Sequence, residues 1–307
     1  MRFLIAGAGA VGGFVGARLA GAGQDVTLLV RPHRVAALRD DGLRVTGPDG
    51  TRTVRPSVVT AGQLTSGYDA IVLAVKSEAG VLRQVMDDIA PAVTPPAMIV
   101  PFLNGMAHVG PLTARFGSAV VGGTVRVATE LEDDGTIRAL SPGFEVEVGE
   151  LDGSQSARIA ELAAAFRTAG AQVAVRDDII GAMWAKWVFI ASIGAVTSLM
   201  RATAGEIVAV PDGEQFARSV IAEAAATAAA AGHPAPADVL RATEQALTTP
   251  GSPATSSLSR DLSMNRPTEV EAVLADLADR ARAAGTQTPL IDLAVLALRI
   301  HNRRLGA

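Results

Sequence analysis

Lysine occurs only twice in this chain, at Lys76 and Lys186, among 27 basic residues. Surface charge is carried by arginine, which keeps its proton near neutral pH, so the two lysines stand out as candidates for chemistry arginine cannot do. The alanine- and arginine-rich composition fits a GC-rich genome, in which lysine and asparagine codons are disfavoured. Asparagine is nearly as scarce, at Asn104, Asn265 and Asn302. Lys186 lies between Trp184 and Trp187 and leads into an apolar run. Partial desolvation there is expected to lower its pKa and suit it to proton transfer. The plainer alternative is a lysine snorkelling from a core helix. At ~100° per residue, Lys186, Ile190, Ile193, Gly194 and Thr197 share one helix face, and the tryptophans point elsewhere and pack. A second polar stretch runs from Ser256-Ser257 through Asp261 to Arg266-Pro267-Thr268-Glu269. From the residues alone, Pro267 begins a helix with Glu269 in its first turn, and Ser256 and Ser257 read as caps.

At the other end of the chain, Phe3-Leu4-Ile5-Ala6 runs into Gly7-Ala8-Gly9-Ala10-Val11-Gly12. Four apolar residues predict a buried strand, and an alanine-rich helical run follows to about Ala20. A G-x-G-x-x-G at a strand-to-helix junction is the context of a dinucleotide site. Gly7 permits the tight turn, Gly9 lets the N–H groups of the Ala10-Val11 turn approach a pyrophosphate, and Gly12 lets helix and sheet close up. The next strand, Asp25–Val30, ends in Arg31-Pro32-His33-Arg34. An acid at that end would hold a ribose 2′-hydroxyl, whereas Arg31 suits a 2′-phosphate, so NADP(H) is expected rather than NAD(H). The apolar strand Tyr68–Val75 is followed at once by Lys76, and Ala97–Leu103 by Asn104-Gly105. In an open α/β sheet both ends lie where cofactor or substrate binds.

Several elements must position these residues. Leu43–Val45 and Thr51–Val54 flank Gly47-Pro48-Asp49-Gly50, a hairpin turn by its chemistry. Strands are expected at Val120–Val127, Phe144–Val148 and Ala171–Val175, with a helix from about Ser156 to Ala169. Beyond Asp177-Asp178 the periodicity becomes helical. The expected architecture is α/β, with a Rossmann-type dinucleotide-binding domain over 1–177 and an all-helical domain over 178–307. The length of 307 residues allows two such domains. A net charge of −4 with interspersed signs argues against nucleic-acid and membrane-surface partners. The apolar run from Trp187 to Met200 falls short of the ~18–20 residues a membrane span needs. The N-terminus is expected to be the first strand of the fold and not a cleavable leader, which points to a cytoplasmic protein. The absence of cysteine excludes disulfides and thiolate catalysis, and the four scattered histidines suggest no metal site.

Taken together, Gly7–Gly12, Val75-Lys76, Asn104-Gly105-Met106, Trp184-Ala185-Lys186 and Ser256-Ser257…Asp261…Arg266-Pro267-Thr268-Glu269 resemble the ketopantoate reductase (2-dehydropantoate 2-reductase) family along essentially the whole chain. The resemblance implies an NADPH-dependent reduction of a 2-oxo acid, with ketopantoate, on the route to pantothenate, as the leading substrate. It implies that Lys186 is the general acid at the substrate carbonyl oxygen and that Glu269 orients lysine and substrate. Asn104 would contact the nicotinamide ribose and substrate, Lys76 the cofactor side, and Ser257 the substrate carboxylate. A homodimer is compatible with it. The sequence departs from the family at Ile190, Gly194 and Ala204, where asparagines that help bind ketopantoate are usual. The expected consequence is a less polar and, at Gly194, roomier pocket, suited to a more apolar ketone or 2-oxo acid. A non-catalytic NADPH-binding sensor is the third reading, against which the Lys186/Glu269 pair argues.

Overall fold

The computed structural model describes residues 1–48, 50–76 and 79–306 and divides into two compact units. One comprises Met1–Leu103 and His108–Ile179, the other Asn104–Ala107 and Ile180–Ala307. The first unit contains β1 (Arg2–Ala6), α1 (Ala10–Gly21), β2 (Asp25–Leu29), α2 (Pro32–Asp40), the hairpin β3 (Leu43–Gly47) and β4 (Gly50–Val54), β5 (Ser57–Val59), β6 (Ala70–Leu73), α3 (Ala79–Ile89) and β7 (Met98–Pro101). It continues with α4 (Val109–Phe116), β8 (Gly122–Arg126), β9 (Thr129–Leu131), β10 (Ile137–Ala139), β11 (Glu145–Gly149), α5 (Ala157–Thr168) and β12 (Gln172–Val175).

Its main sheet is all parallel, in the order β5-β2-β1-β6-β7. Its strands are apolar on both faces because both faces are covered. Alternation along each strand sorts the side chains into two cores. Phe3, Ile5, Ala70, Val72, Met98 and Val100 pack with α1 and α5, and Leu4, Ala6, Ile71, Leu73 and Ile99 pack with α3 and α4. The chain passes from β1 outward through β2 to β5 and returns to the other side of β1 at β6. That reversal puts the topological switch point at the carboxyl ends of β1 and β6, where an open α/β sheet binds ligands. This is the expected Rossmann-type layout. Two smaller sheets, β4-β3-β10-β9 and β12-β11-β8, complete the unit.

The hairpin pairs Gly47 with Gly50 as its turn chemistry predicts; Asp49 lies outside the described residues. The short strands β5, β9 and β10 and the helices α2 and α4 were not foreseen. Three-residue strands are too short to display a period.

The second unit is helical, as expected: α6 (Ile179–Met200, its first residue counted with the sheet), α7 (Ala204–Val208), α8 (Gly213–Ala230), α9 (Ala237–Thr248), α10 (Ser257–Ser263), a π-helical turn at Glu271–Ala275, α11 (Asp276–Ala283) and α12 (Pro289–Arg304). The helix α6 is longer than its apolar run suggested. With 22 residues it is long and apolar enough to cross a membrane, but about 67% of its most apolar stretch is buried inside the protein. It serves as a core helix. The N-terminus of α12 is held by Glu223 of α8, whose carboxylate accepts the N–H groups of Leu290 and Ile291 at 3.0 Å. Burial raises the pKa of that carboxyl.

Candidate active site

The glycine turn is built by close approach. Gly7 has φ +102°, and a Cβ there would lie 2.7 Å from the Ala74 carbonyl oxygen beyond β6. A Cβ on Gly12 would lie 2.0 Å from the carbonyl oxygen of Gly7. Neither neighbour can yield, because both are backbone. Gly9 differs: a Cβ there would meet nothing within 4 Å. It is the N-cap of α1, no side chain caps it, and the first turn contains no acid. The first helical N–H groups, at Ala10, Val11 and Gly12, have no intrahelical acceptor. Open space in front of uncapped N–H groups at the positive end of a helix dipole fits the pyrophosphate of a dinucleotide.

Arg31 is exposed and is the N-cap of α2, two residues beyond the end of β2, with Pro32 at the first helical position. Asp25, at the opposite end of β2, pairs with Arg2 at 3.6 Å. The carboxyl end of β2 therefore presents Arg31 in place of an acid. Lys76 is exposed and follows Val75, whose side chain lies 2.9 Å from where a Cβ on Gly7 would be.

In the helical unit, Lys186 is only 8% exposed. Its ammonium donates to Oδ1 of Asn104 at 3.2 Å. The amide oxygen orients the buried ammonium from one side. The neighbouring tryptophans pack, as their helical phase predicts. Trp184 stacks on His233 with ring centres 5.6 Å apart, and the Arg280 guanidinium lies 5.7 Å and 5.6 Å from the Trp184 and Trp187 rings.

The π-helical turn ties this site together. The Trp187 indole N–H donates to the Val273 carbonyl at 2.8 Å, fixing α6 one residue from Lys186. Gly105, at φ +75°, lies so close to the turn that a Cβ would sit 2.2 Å from the Ala272 carbonyl oxygen, which fixes the chain one residue from Asn104. Glu269 precedes the turn, and its carbonyl accepts the Val273 N–H at 3.1 Å. π-Helical turns are concentrated at functional sites, and this one supports three candidate residues.

Three expectations need correction. The helix expected to begin at Pro267 begins at Val270, so Glu269 is a half-buried loop residue at its threshold and not part of its first turn. The proline only sets the approach, since the residue before a proline is pushed to extended backbone. Of the two serines, Ser256 is the buried cap: its Oγ accepts the Ser259 N–H at 2.9 Å and meets the Thr197 hydroxyl on α6 at 2.9 Å. Ser257 is exposed at the first position of α10. Gly194 does not leave free space, because a Cβ there would lie 3.0 Å from Cδ1 of Leu258. Leucines 258 and 274 line that point, so this part of the Lys186 face is apolar and filled. Ala204 is fully buried.

Sequence reasoning missed Asn302 and His301 of α12, which hold the Arg266–Thr268 loop. The scarcity of asparagine is a signal for Asn302; His301 carries none.

Residues 3–153 match the family model described as ketopantoate reductase PanE/ApbA, and residues 178–302 match its C-terminal model. The chain is 31% identical over 302 residues to an uncharacterized oxidoreductase, YkpB, of Bacillus subtilis (strain 168), covering 98% of this chain and 99% of that one. It is 32% identical over 299 residues to a 2-dehydropantoate 2-reductase of Halobacterium salinarum, covering 95% of each. A PanE/ApbA family ketopantoate reductase structure from Ralstonia eutropha JMP134 superposes over the full length of both chains, with a TM-score of 0.88 at 27% identity. With both halves of the family pattern present in order, the chain belongs to the ketopantoate reductase PanE/ApbA family of oxidoreductases.

Proposed function

We propose that this protein is an NADPH-dependent reductase of a 2-oxo acid, with ketopantoate as the first substrate to test. The observation that carries the reading is the buried Lys186 ammonium held 3.2 Å from Asn104. Gly7, Gly9, Ala10, Val11 and Gly12 would hold the pyrophosphate, Arg31 the 2′-phosphate, and Lys76 would support the cofactor side. When bound, the dinucleotide supplies the hydride. Lys186 places an N–H at the carbonyl oxygen, where negative charge builds up, and donates the proton that completes the alcohol. A cation there favours the transition state over the ground state. Asn104 accepts one of the ammonium hydrogens and so helps to orient the group. Glu269 orients the lysine and the substrate, and Ser257 contacts the substrate carboxylate. The lack of a charge run favouring a membrane surface supports a cytoplasmic site of action.

A second reading, a more apolar 2-oxo acid or ketone, is favoured by Ile190 and by the leucine-filled space at Gly194. Buried polar contacts to a substrate hydroxyl discriminate by ~10⁴–10⁵, so their replacement by apolar side chains weakens selection for a hydroxylated substrate. NADPH oxidation across a panel of 2-oxo acids decides between the two. The first reading requires the highest kcat/KM for ketopantoate; a preference of tenfold or more for a more apolar, unhydroxylated acid establishes the second.

A further inference from the structure

Glu269 ends the six-residue connection Met264–Glu269 between α10 and the helix that contains the π turn. The helix ladder reaches Glu269 only through its carbonyl, which accepts the Val273 N–H, and fixes nothing before it. This loop is instead held from α12 by two consecutive side chains. The Asn302 carboxamide makes three hydrogen bonds to Thr268, the residue before Glu269. Its Oδ1 accepts the Thr268 N–H at 2.9 Å and the Thr268 hydroxyl at 3.1 Å, and its Nδ2 donates to the Thr268 carbonyl at 2.9 Å. The neighbouring His301 ring, 8% exposed, has Nε2 3.0 Å from the Arg266 carbonyl.

A carboxamide is the side-chain group that reproduces a peptide's own donor and acceptor, so Asn302 pairs with Thr268 as a strand neighbour would. Aspartate keeps the acceptor and loses the donor; alanine loses both. Thr268 is 3% exposed, and polar backbone groups buried there are costly to leave unpaired. Such a clamp suits a site whose acid must begin from one defined backbone position. The loop's downstream side is equally fixed, by the π turn that also receives Trp187 and packs against Gly105.

We propose that Asn302 is a positioning residue for the reduction, acting through Thr268 to set where the Glu269 carboxylate stands. This rests on the reading of Glu269 given above. The test is a double-mutant cycle on kcat with the full-length protein, using N302A, E269A and the double variant. N302A is expected to lose on the order of 10²-fold in kcat, the cost of a misplacement of ~1 Å, with NADPH affinity near the parent's and Tm lowered by several degrees as the buried Thr268 groups lose their partner. In the E269A background the same substitution should cost less than about twofold. Equal losses in both backgrounds, or no loss in either, overturn the proposal. If N302A does not fold, N302D takes its place in the cycle, with a smaller expected loss because the acceptor survives.

A failure of the reductase reading is seen separately, as a parent that turns over none of the 2-oxo acids or an E269A variant with unchanged kcat. In that event, hydrogen exchange at the Thr268 amide still decides the clamp. Exchange at least tenfold faster in N302A supports it, and unchanged exchange overturns it.

Discussion

The two candidate sites are made of different materials. In the sheet unit, the glycine turn is a backbone site: its donors are peptide N–H groups, and its shape comes from missing side chains at Gly7, Gly9 and Gly12. In the helical unit, the site is made of side chains held by other side chains or by carbonyls: Lys186 on Asn104, Trp187 on Val273, Asn302 on Thr268. A backbone site depends on local sequence, so it is compact in the chain and tolerant of its surroundings. A side-chain site gathers residues from positions 104, 186, 269 and 302 and depends on each of their supports. Under the proposed function, the first binds the cofactor and the second carries the turnover.

The strongest way to break that division is Lys186→Ala. It should lower kcat by roughly 10²–10⁴-fold, the usual contribution of a positioned acid, while NADPH affinity stays within about twofold. A parallel loss of NADPH affinity, measured by fluorescence titration, would contradict the division. Gly9→Ala supplies the counterpart: the added methyl meets no protein atom, so the fold should survive while the cofactor is bound less tightly.

A smaller effect sharpens the reading of the backbone site. Arg31→Ala should weaken NADPH by about tenfold, the ~1.4 kcal/mol of one exposed phosphate contact, and leave NADH nearly unchanged. Equal loss for both cofactors would mean that Arg31 does not read the 2′-phosphate.

The smallest effect concerns pH and has opposite signs in the two units. In the sheet unit, the Arg158 guanidinium hydrogen-bonded to Glu150 at 2.5 Å and 2.7 Å holds that carboxyl below its ordinary 4.5. Its stabilising contribution is complete above the unfolded carboxyl's value and is lost as pH falls through the lower folded one. In the helical unit, burial holds Glu223 above 4.5, so stability falls as pH rises from 4.5 through the raised folded value. Glu150→Gln should therefore lower Tm by about 2–4 °C at neutral pH and by less in acid. Glu223→Gln should flatten the decline on the rising side. Scanning calorimetry from pH 2 to 8 on the parent and both variants reads the two slopes by difference; slopes of the same sign would refute the assignment.

The same contrast explains what was legible in the sequence. The glycine turn, the parallel strands and the helical second half were readable because each is written in consecutive residues with a period or a motif. Lys186 was readable through its rarity and its phase on one helix. The start of the helix near Glu269 was misplaced because a local rule about proline competed with tertiary support from α12, which no window around Pro267 contains. The space beside Gly194 was misjudged for a related reason: a missing side chain leaves room only if no other element fills it, and Leu258 is 64 residues away in sequence. The three asparagines show how far rarity could have been pressed. Asn104 receives the lysine, Asn302 clamps a backbone, and Asn265 occupies left-handed backbone at φ +54°, which asparagine tolerates better than most residues.

Because Asn104–Ala107 counts with the helices although it follows β7 in the chain, the helical unit is assembled from two separate stretches. A fragment starting at residue 178 would contain Lys186 without its amide acceptor. Grafting this helical unit onto a relative's sheet unit therefore requires three splice junctions, one on each side of a four-residue insert and one before Ile180. A chimera made with a single junction would combine one parent's lysine with the other parent's asparagine turn, and its turnover would depend on how well the two had been matched.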